Sequence, residues 1–188
     1  DKKIVQSITR SSVYVEKING SGVDLKEFKY TKPTNEDTTY FLYVGRLVKH
    51  KNVEGLIQQF NANFSDKNAV LKIVGDGEQI ECLFDKYNSE KVLFFGKKFN
   101  NELLAEFKSA SCFVCPSSFE PWGLVVNEAL SAGLPVIATK EVGACFDLIK
   151  NKKTGFIAND MSEFGKMMLT LFDDDQLLKE YSVNASEL

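Results

Sequence analysis

From Thr38 onward, short apolar runs alternate with amphipathic stretches along the chain. Tyr40 to Val44, Val70 to Val74, Val92 to Phe95, Cys112 to Cys115 and residues 135–138 are mostly apolar and end at glycine, proline or polar residues. Runs of that length and composition predict strands buried on both faces. Between them, Asn52 to Asn61 sets Val53, Leu56, Ile57 and Phe60 at helical spacing, and residues 78–87, 100–110 and 123–132 also read as helices. A short helix near 144–149, a brief strand from Gly155 to Ile157 and two helices within 161–185 complete the pattern. Strands alternating with helices imply a parallel sheet covered on both sides, a doubly wound, Rossmann-like α/β fold. Residues 1–35 are less regular. Ile4 to Ile8 and Val13 to Val15 read as short strands, or a strand after a short helix, before a glycine turn at Gly20 to Asp24.

The length of 188 residues suits one sizeable domain rather than two. A net charge of −3 leaves no basic excess for a nucleic-acid surface. No apolar run approaches the roughly 20 residues of a membrane helix, and no signal-peptide pattern is present. The chain begins at Asp1, which reads as an excised piece of something longer. Cys112 and Cys115 form a CxxC, but they lie in an apolar strand, where residues three apart point to opposite faces. They read as structural thiols rather than metal ligands, and reduced cysteines suit a cytoplasmic setting.

In such sheets, ligands gather outside the carboxyl ends of the strands. The loop after the first strand, Gly45 to Lys51, offers a planar guanidinium in Arg46 and a point charge in Lys51, with Asn52 placed to cap the next helix. The turn Gly75-Asp76-Gly77 is half of a dinucleotide fingerprint. Its third glycine is replaced by Ile80, and no acid follows the next strand, so a tight turn is the stronger reading. Gly96, Lys97 and Lys98 form a plausible wall for a base or sugar. His50 reads as a solvated loop residue, and Asp173 to Asp175 as helix capping and solvation.

The stretch PSSFEPWGLVVNEALSAGLP, residues 116–135, carries the densest chemistry. Glu120 precedes a helix that starts at Gly123 and is closed by Gly133, and that helix N-terminus is a ready anion site. Glu128 follows Leu124 by four and Val125 by three, which assigns it to the core-facing stripe. A carboxylate buried there needs a partner or a ligand.

Taken with Arg46 and Lys51, the Glu120-x7-Glu128 pair and the following Gly133-Leu134-Pro135-Val136 resemble the nucleotide-binding half of a retaining GT-B glycosyltransferase. The family contains glycogen synthases, sucrose synthases and bacterial mannosyltransferases. The likeness runs from about Gly20 to Phe156, through GVDLKEF (22–28), YVGRLVKHKN (43–52), IVGDGE (73–78), residues 110–139 and KTGFI (153–157). Two departures stand out: Ala144 follows Gly143 where a second glycine is common, and Pro121-Trp122 replaces a commoner Gly-Phe.

The resemblance implies roles. Arg46 and Lys51, after Gly45, would hold the diphosphate of a nucleotide-sugar; Glu120 would bind hydroxyls of the transferred sugar. Backbone N–H groups of Trp122, Gly123 and Leu124 would contact the sugar and β-phosphate. Glu128 would accept from ribose hydroxyls, and Gly96 to Lys98 would lie along the base. The co-substrate would be a nucleoside-diphosphate sugar, with no cofactor and no metal. A hexose would pass with retained configuration to a saccharide or lipid-linked acceptor, in bacterial surface-polysaccharide or glycolipid synthesis. The acceptor would be bound by an N-terminal domain absent from this chain, with residues 1–35 near the hinge. The enzyme would be cytoplasmic or peripheral at the inner membrane through that absent domain, and this piece inactive alone. A nicotinamide-dependent oxidoreductase domain and a noncatalytic nucleotide-sugar-binding module are the competing readings.

Overall fold

The computed structural model describes residues 38–187; the elements expected before Thr38 lie outside the described residues. The described strands are β1 (Thr39–Val44), β2 (Ala69–Val74), β3 (Val92–Phe94), β4 (Cys112–Cys115), β5 (Val136–Thr139) and β6 (Gly155–Ala158). They form one sheet in the order β3-β2-β1-β4-β5-β6, and every pairing is parallel. The helices are α1 (Val53–Phe64), α2 (Ile80–Tyr87), α3 (Asn100–Ser109), α4 (Leu124–Ser131), α5 (Cys145–Leu148), α6 (Met161–Asp173) and α7 (Asp175–Ser186). The doubly wound α/β fold read from the alternation is the fold observed.

Period-two geometry divides the strand side chains between two cores. Phe41, Ile73, Cys112, Val114 and Ile137 pack with Leu56, Phe60 and Phe64 of α1, Leu83 of α2, and Phe164 and Met168 of α6. On the other face, Leu42, Phe113, Cys115, Val136 and Ala138 meet Phe107 of α3, Val126, Ala129 and Leu130 of α4, and Cys145 of α5. α7 touches both, through Tyr181 and Ala185. Cys112 and Cys115 therefore lie on opposite faces, buried and unbridged, as the strand reading requires. The first core is aromatic at its centre: Phe60 and Phe64 stack at 5.1 Å and both pack on Phe41. Full burial of each such ring contributes about 1.5–3 kcal/mol.

The helix boundaries have local causes. Asp160 and Asp174 accept from the N–H groups of Glu163 and Leu177, capping α6 and α7. Asp174 thus bears out the capping reading of the 173–175 run. No helix among the described residues is long and apolar enough to cross a membrane.

β1 and β4 are neighbours in the sheet although β2 and β3 intervene in sequence. The strand order reverses between them, so their following loops diverge and leave a crevice at the sheet's carboxyl edge. Gly45, Arg46, Lys51, Gly75, Gly77, Gly96 and Glu120 lie in loops that follow strands at that edge, and Glu128 lies on the helix that leaves it.

Candidate functional site

The loop after β1 is pinned from below. Tyr43 is buried and its hydroxyl donates to the Arg46 carbonyl at 2.9 Å. Burial above all, with smaller contributions from Cys115 and Glu120, pushes the phenol pKa up, so it stays a proton donor. A Cβ at Gly45 would sit 2.7 Å from the Tyr43 oxygen, which explains a glycine there. Arg46 is exposed, and its guanidinium makes no hydrogen bond or ion pair among the described residues. Lys49–Lys51 form a 3-10 turn, and Asn52 redirects the chain into α1 with φ of 52°. Asn52 occupies the expected cap position, but its side chain makes no cap hydrogen bond; its contribution is the left-handed backbone.

The loop after β4 is held against both neighbours. Ser118 donates to the His50 carbonyl through its N–H (2.8 Å) and hydroxyl (3.1 Å), so His50 contributes its backbone to the site. Thr139 of β5 donates its hydroxyl to the Ser117 carbonyl. Farther along, the Glu120 N–H donates to the Glu141 carbonyl (3.1 Å), while the N–H groups of Gly143 and Ala144 donate to the carbonyls of Glu120 (2.9 Å) and Trp122 (2.8 Å). A Cβ at Gly143 would lie 2.1 Å from the Pro121 oxygen, so the close approach requires that glycine. Ala144, where the resemblance led to a second glycine, is accommodated fully buried.

These constraints bring Lys51 and Glu120 together across the crevice as an ion pair. Their side chains are 14% and 17% exposed, which leaves the pair largely shielded from water. Removing one partner from such a pair leaves the other charge poorly solvated.

α4 begins just beyond. Gly123 caps it at φ of 92°, and its carbonyl accepts from the Val126 N–H at 2.9 Å. The N–H groups of Trp122, Gly123 and Leu124 make no hydrogen bond among the described residues, so the helix start presents free donors. The Trp122 indole donates to Asn127 Oδ1 at 3.3 Å, which ties the half-exposed ring to the helix. Gly133 closes α4 at φ of 73° as expected, with the Leu134 N–H donating to the Ala129 carbonyl.

The core-facing stripe of α4 is not the one expected. Val126, Ala129 and Leu130 are buried, Leu124 is 52% exposed, and Glu128 is half-buried on the flank. α4 is apolar around most of its circumference, so periodicity alone could not set which stripe meets the sheet. The Glu128 carboxylate has no hydrogen bond or ion pair among the described residues. Burial alone pushes its pKa up.

A second depression adjoins the same β1 loop. Val44, Gly45, Arg46, Val74, Gly75, Asp76, Gly77, Lys97 and Lys98 line a cavity of about 400 Å³. Its glycine turn is shaped by backbone approach. A Cβ at Gly75 or Gly77 would lie 1.8 Å from the Gly45 oxygen or 2.5 Å from the Leu47 oxygen. The Leu47 N–H donates to the Asp76 carbonyl at 2.8 Å, so a tight turn, as expected, is what these glycines serve. Gly96, at φ of 64°, accepts from the Gly75 N–H at 2.8 Å. The Lys98 ammonium does not point freely into the cavity; it pairs with Glu106 of α3.

The structure thus groups the expected residues in two adjoining sets. Gly45, Arg46, Lys97 and Lys98 line the cavity, while Lys51, Glu120, Trp122, Gly123 and Leu124 meet beside it, with Glu128 on the flank of α4. Tyr43, Gly143 and Glu106 were not singled out in the sequence. Tyr43 and Glu106 sit inside elements whose pattern explains them as core or solvent face, and only tertiary contact shows otherwise. Gly143 was noted only as the residue before Ala144, where a second glycine is common.

A doubly wound α/β domain with cations, a carboxylate and free helix N–H donors at its switch point is the class this geometry defines. Residues 25–188 match the family described as Glycosyl transferases group 1, and the chain belongs to that family. An uncharacterized glycosyltransferase of Methanocaldococcus jannaschii is 34% identical over 142 residues, covering 73% of this chain and 36% of that protein. Sucrose-phosphate synthase from Thermosynechococcus elongatus superposes with a TM-score of 0.79 at 25% identity, over 99% of this chain and 50% of that one. Anabaena HepE, solved in complex with UDP-glucose, gives 0.74 at 20% identity, over 88% and 50%. The chain spans less than half the length of the curated relatives it matches, from 26% to 44%.

Proposed function

We propose that this chain is the donor-binding part of a retaining glycosyltransferase that moves a hexose from a nucleoside-diphosphate sugar. The observation that carries the proposal is the meeting of Lys51 and Glu120 at the switch point, beside Arg46 and the N–H groups at the start of α4, which are unpaired among the described residues. Breaking the bond from anomeric carbon to phosphate builds negative charge on the leaving diphosphate and positive charge on the sugar. Arg46, Lys51 and the N–H groups of Trp122 to Leu124 face the first charge, and Glu120 the second. Fixed donors act most strongly where charge develops, each contributing on the order of 3 kcal/mol. That set of donors is our ground for proposing metal-independent transfer.

Glu128 is proposed to accept from ribose hydroxyls, which would give its half-buried carboxylate the partner it lacks among the described residues. The wall Gly96 to Lys98 is proposed to receive the base. The acceptor, a saccharide or lipid-linked sugar of bacterial surface polysaccharide or glycolipid, is proposed to be bound by parts of the protein beyond this chain, which alone would transfer nothing. Action in the cytoplasm, peripheral to the membrane for a lipid-linked acceptor, belongs to the same proposal. Of the competing readings, the oxidoreductase domain is set aside by the family and by the backbone role of Gly75 and Gly77.

The test is a division of kinetic effects in the full-length protein. Glu120→Ala is expected to lower kcat about 100-fold or more with KM for the donor changed little. Glu128→Ala is expected to raise KM about tenfold with kcat nearly kept. Equal effects of both substitutions on both constants would mean the roles are wrongly divided.

A further inference from the structure

We propose that Glu106 is a positioning residue that fixes the Gly96 to Lys98 wall, and through it the affinity for the nucleobase. The inference rests on the donor-site reading above and extends it to a residue on a different element. Glu106 lies in α3 and is buried, at 8% exposure. Its carboxylate takes Lys72 of β2 on one oxygen at 3.1 Å and Lys98 on the other. Lys72 also donates to Ser109 Oγ at 2.9 Å. Both ammoniums lie against aromatic rings, Lys98 over Phe95 at 4.4 Å and Lys72 over Tyr40 at 4.6 Å.

The backbone shows why this tether matters. The Phe95 N–H continues the pairing with β2 by donating to the Ile73 carbonyl (2.9 Å), and the Gly96 carbonyl accepts from Gly75. The Phe99 carbonyl is already part of the α3 start, accepting from Glu102 at 3.1 Å. Between these anchors, Lys97 and Lys98 make no backbone hydrogen bond among the described residues. Among the described residues, the Lys97 ammonium reaches only the exposed Phe99 ring, at 4.8 Å. The buried Glu106 is thus the polar anchor of the segment that lines the cavity.

Stability alone is a poor reason for such a cluster. A buried carboxylate held by ammoniums gains little over an apolar packing of the same volume, because desolvation offsets the attraction. What the cluster adds is a fixed direction: it draws the Lys98 ammonium toward Glu106 of α3 while Lys98 still lines the cavity. A base lying there meets a wall set by a side chain two turns into α3.

The experiment compares the unaltered chain, Glu106→Gln and Glu106→Leu by calorimetric titration with UDP, GDP and ADP, with inorganic pyrophosphate read as a competitor. The unaltered chain is expected to bind at least one nucleoside diphosphate. Both variants are expected to weaken that binding about tenfold while pyrophosphate competition shifts less than about twofold, since Arg46 and Lys51 are untouched. Circular dichroism on the same samples establishes folding, and Glu106→Gln keeps the side-chain volume should the leucine variant not fold. Parallel losses for nucleotide and pyrophosphate, or unchanged nucleotide binding with a lowered melting temperature, would overturn the positioning role alone. Absence of nucleoside diphosphate binding by the unaltered chain would overturn the donor-site reading and this inference with it.

Discussion

Lys51 and Glu120 neutralise each other where a diphosphate and a sugar are proposed to bind, so a nucleotide must compete with Glu120 for the ammonium. Glu120→Gln is therefore expected to tighten binding of the nucleoside diphosphate alone by about three- to tenfold, even as it removes turnover in the full-length protein. Titration of both forms with the same nucleotide checks this; weaker binding by the glutamine form would show that the pair does not oppose phosphate. Glu128 gives the opposite case. Burial raises its pKa in the fold, so its ionised form weighs against folding above that value, and the effect disappears as pH falls toward the unfolded value. Glu128→Gln is expected to raise the melting temperature of the ligand-free chain at pH 7 by about 2–4 °C, on the order of 1 kcal/mol, with the gain vanishing near pH 4. A gain that persists unchanged at pH 4 would point to packing instead of charge.

At the scale of elements, the site depends on two backbone contacts that leave no room for a side chain. Gly143 lies under Pro121, and Gly75 lies against Gly45. Gly143→Ala is expected to cost about 1–3 kcal/mol in chemical denaturation and to weaken nucleotide binding, because the 120–123 turn must shift. Full stability and affinity in that variant would contradict the clamp. The strands and helices themselves were legible, because fully apolar runs of strand length alternating with helical spacing admit few other folds. Glu120, Lys51 and Arg46 were legible as loop residues at strand ends. The phase of α4 was not: Leu124, Val125, Val126, Ala129 and Leu130 are all apolar, and only the sheet beneath selects Val126, Ala129 and Leu130. Nor was the Lys72–Glu106–Lys98 cluster, since a glutamate on α3 reads as solvent-facing until two lysines from elsewhere converge on it.

Across the whole molecule, topology assembles the site. The reversal between β1 and β4 separates their loops enough to form a crevice, yet close enough for Lys51 and Glu120 to meet across it. Two cores hold the sheet rigid beneath, so the crevice is set by buried aromatic and aliphatic packing and not by the loops alone. The curated relatives extend well beyond the span matched here. Binding of a nucleoside diphosphate in this crevice through Arg46 and Lys51 is what the proposed function rests on. Its most direct measurement is calorimetric titration of UDP, GDP, ADP and NADH into this chain and into an Arg46→Met/Lys51→Met variant shown to be folded. Saturable binding of at least one nucleoside diphosphate is expected, weakened about 100-fold or more in the variant, since each charged contact contributes about 1.5–3 kcal/mol. Binding of NADH with no nucleoside diphosphate, or equal nucleotide affinity in both forms, would contradict it.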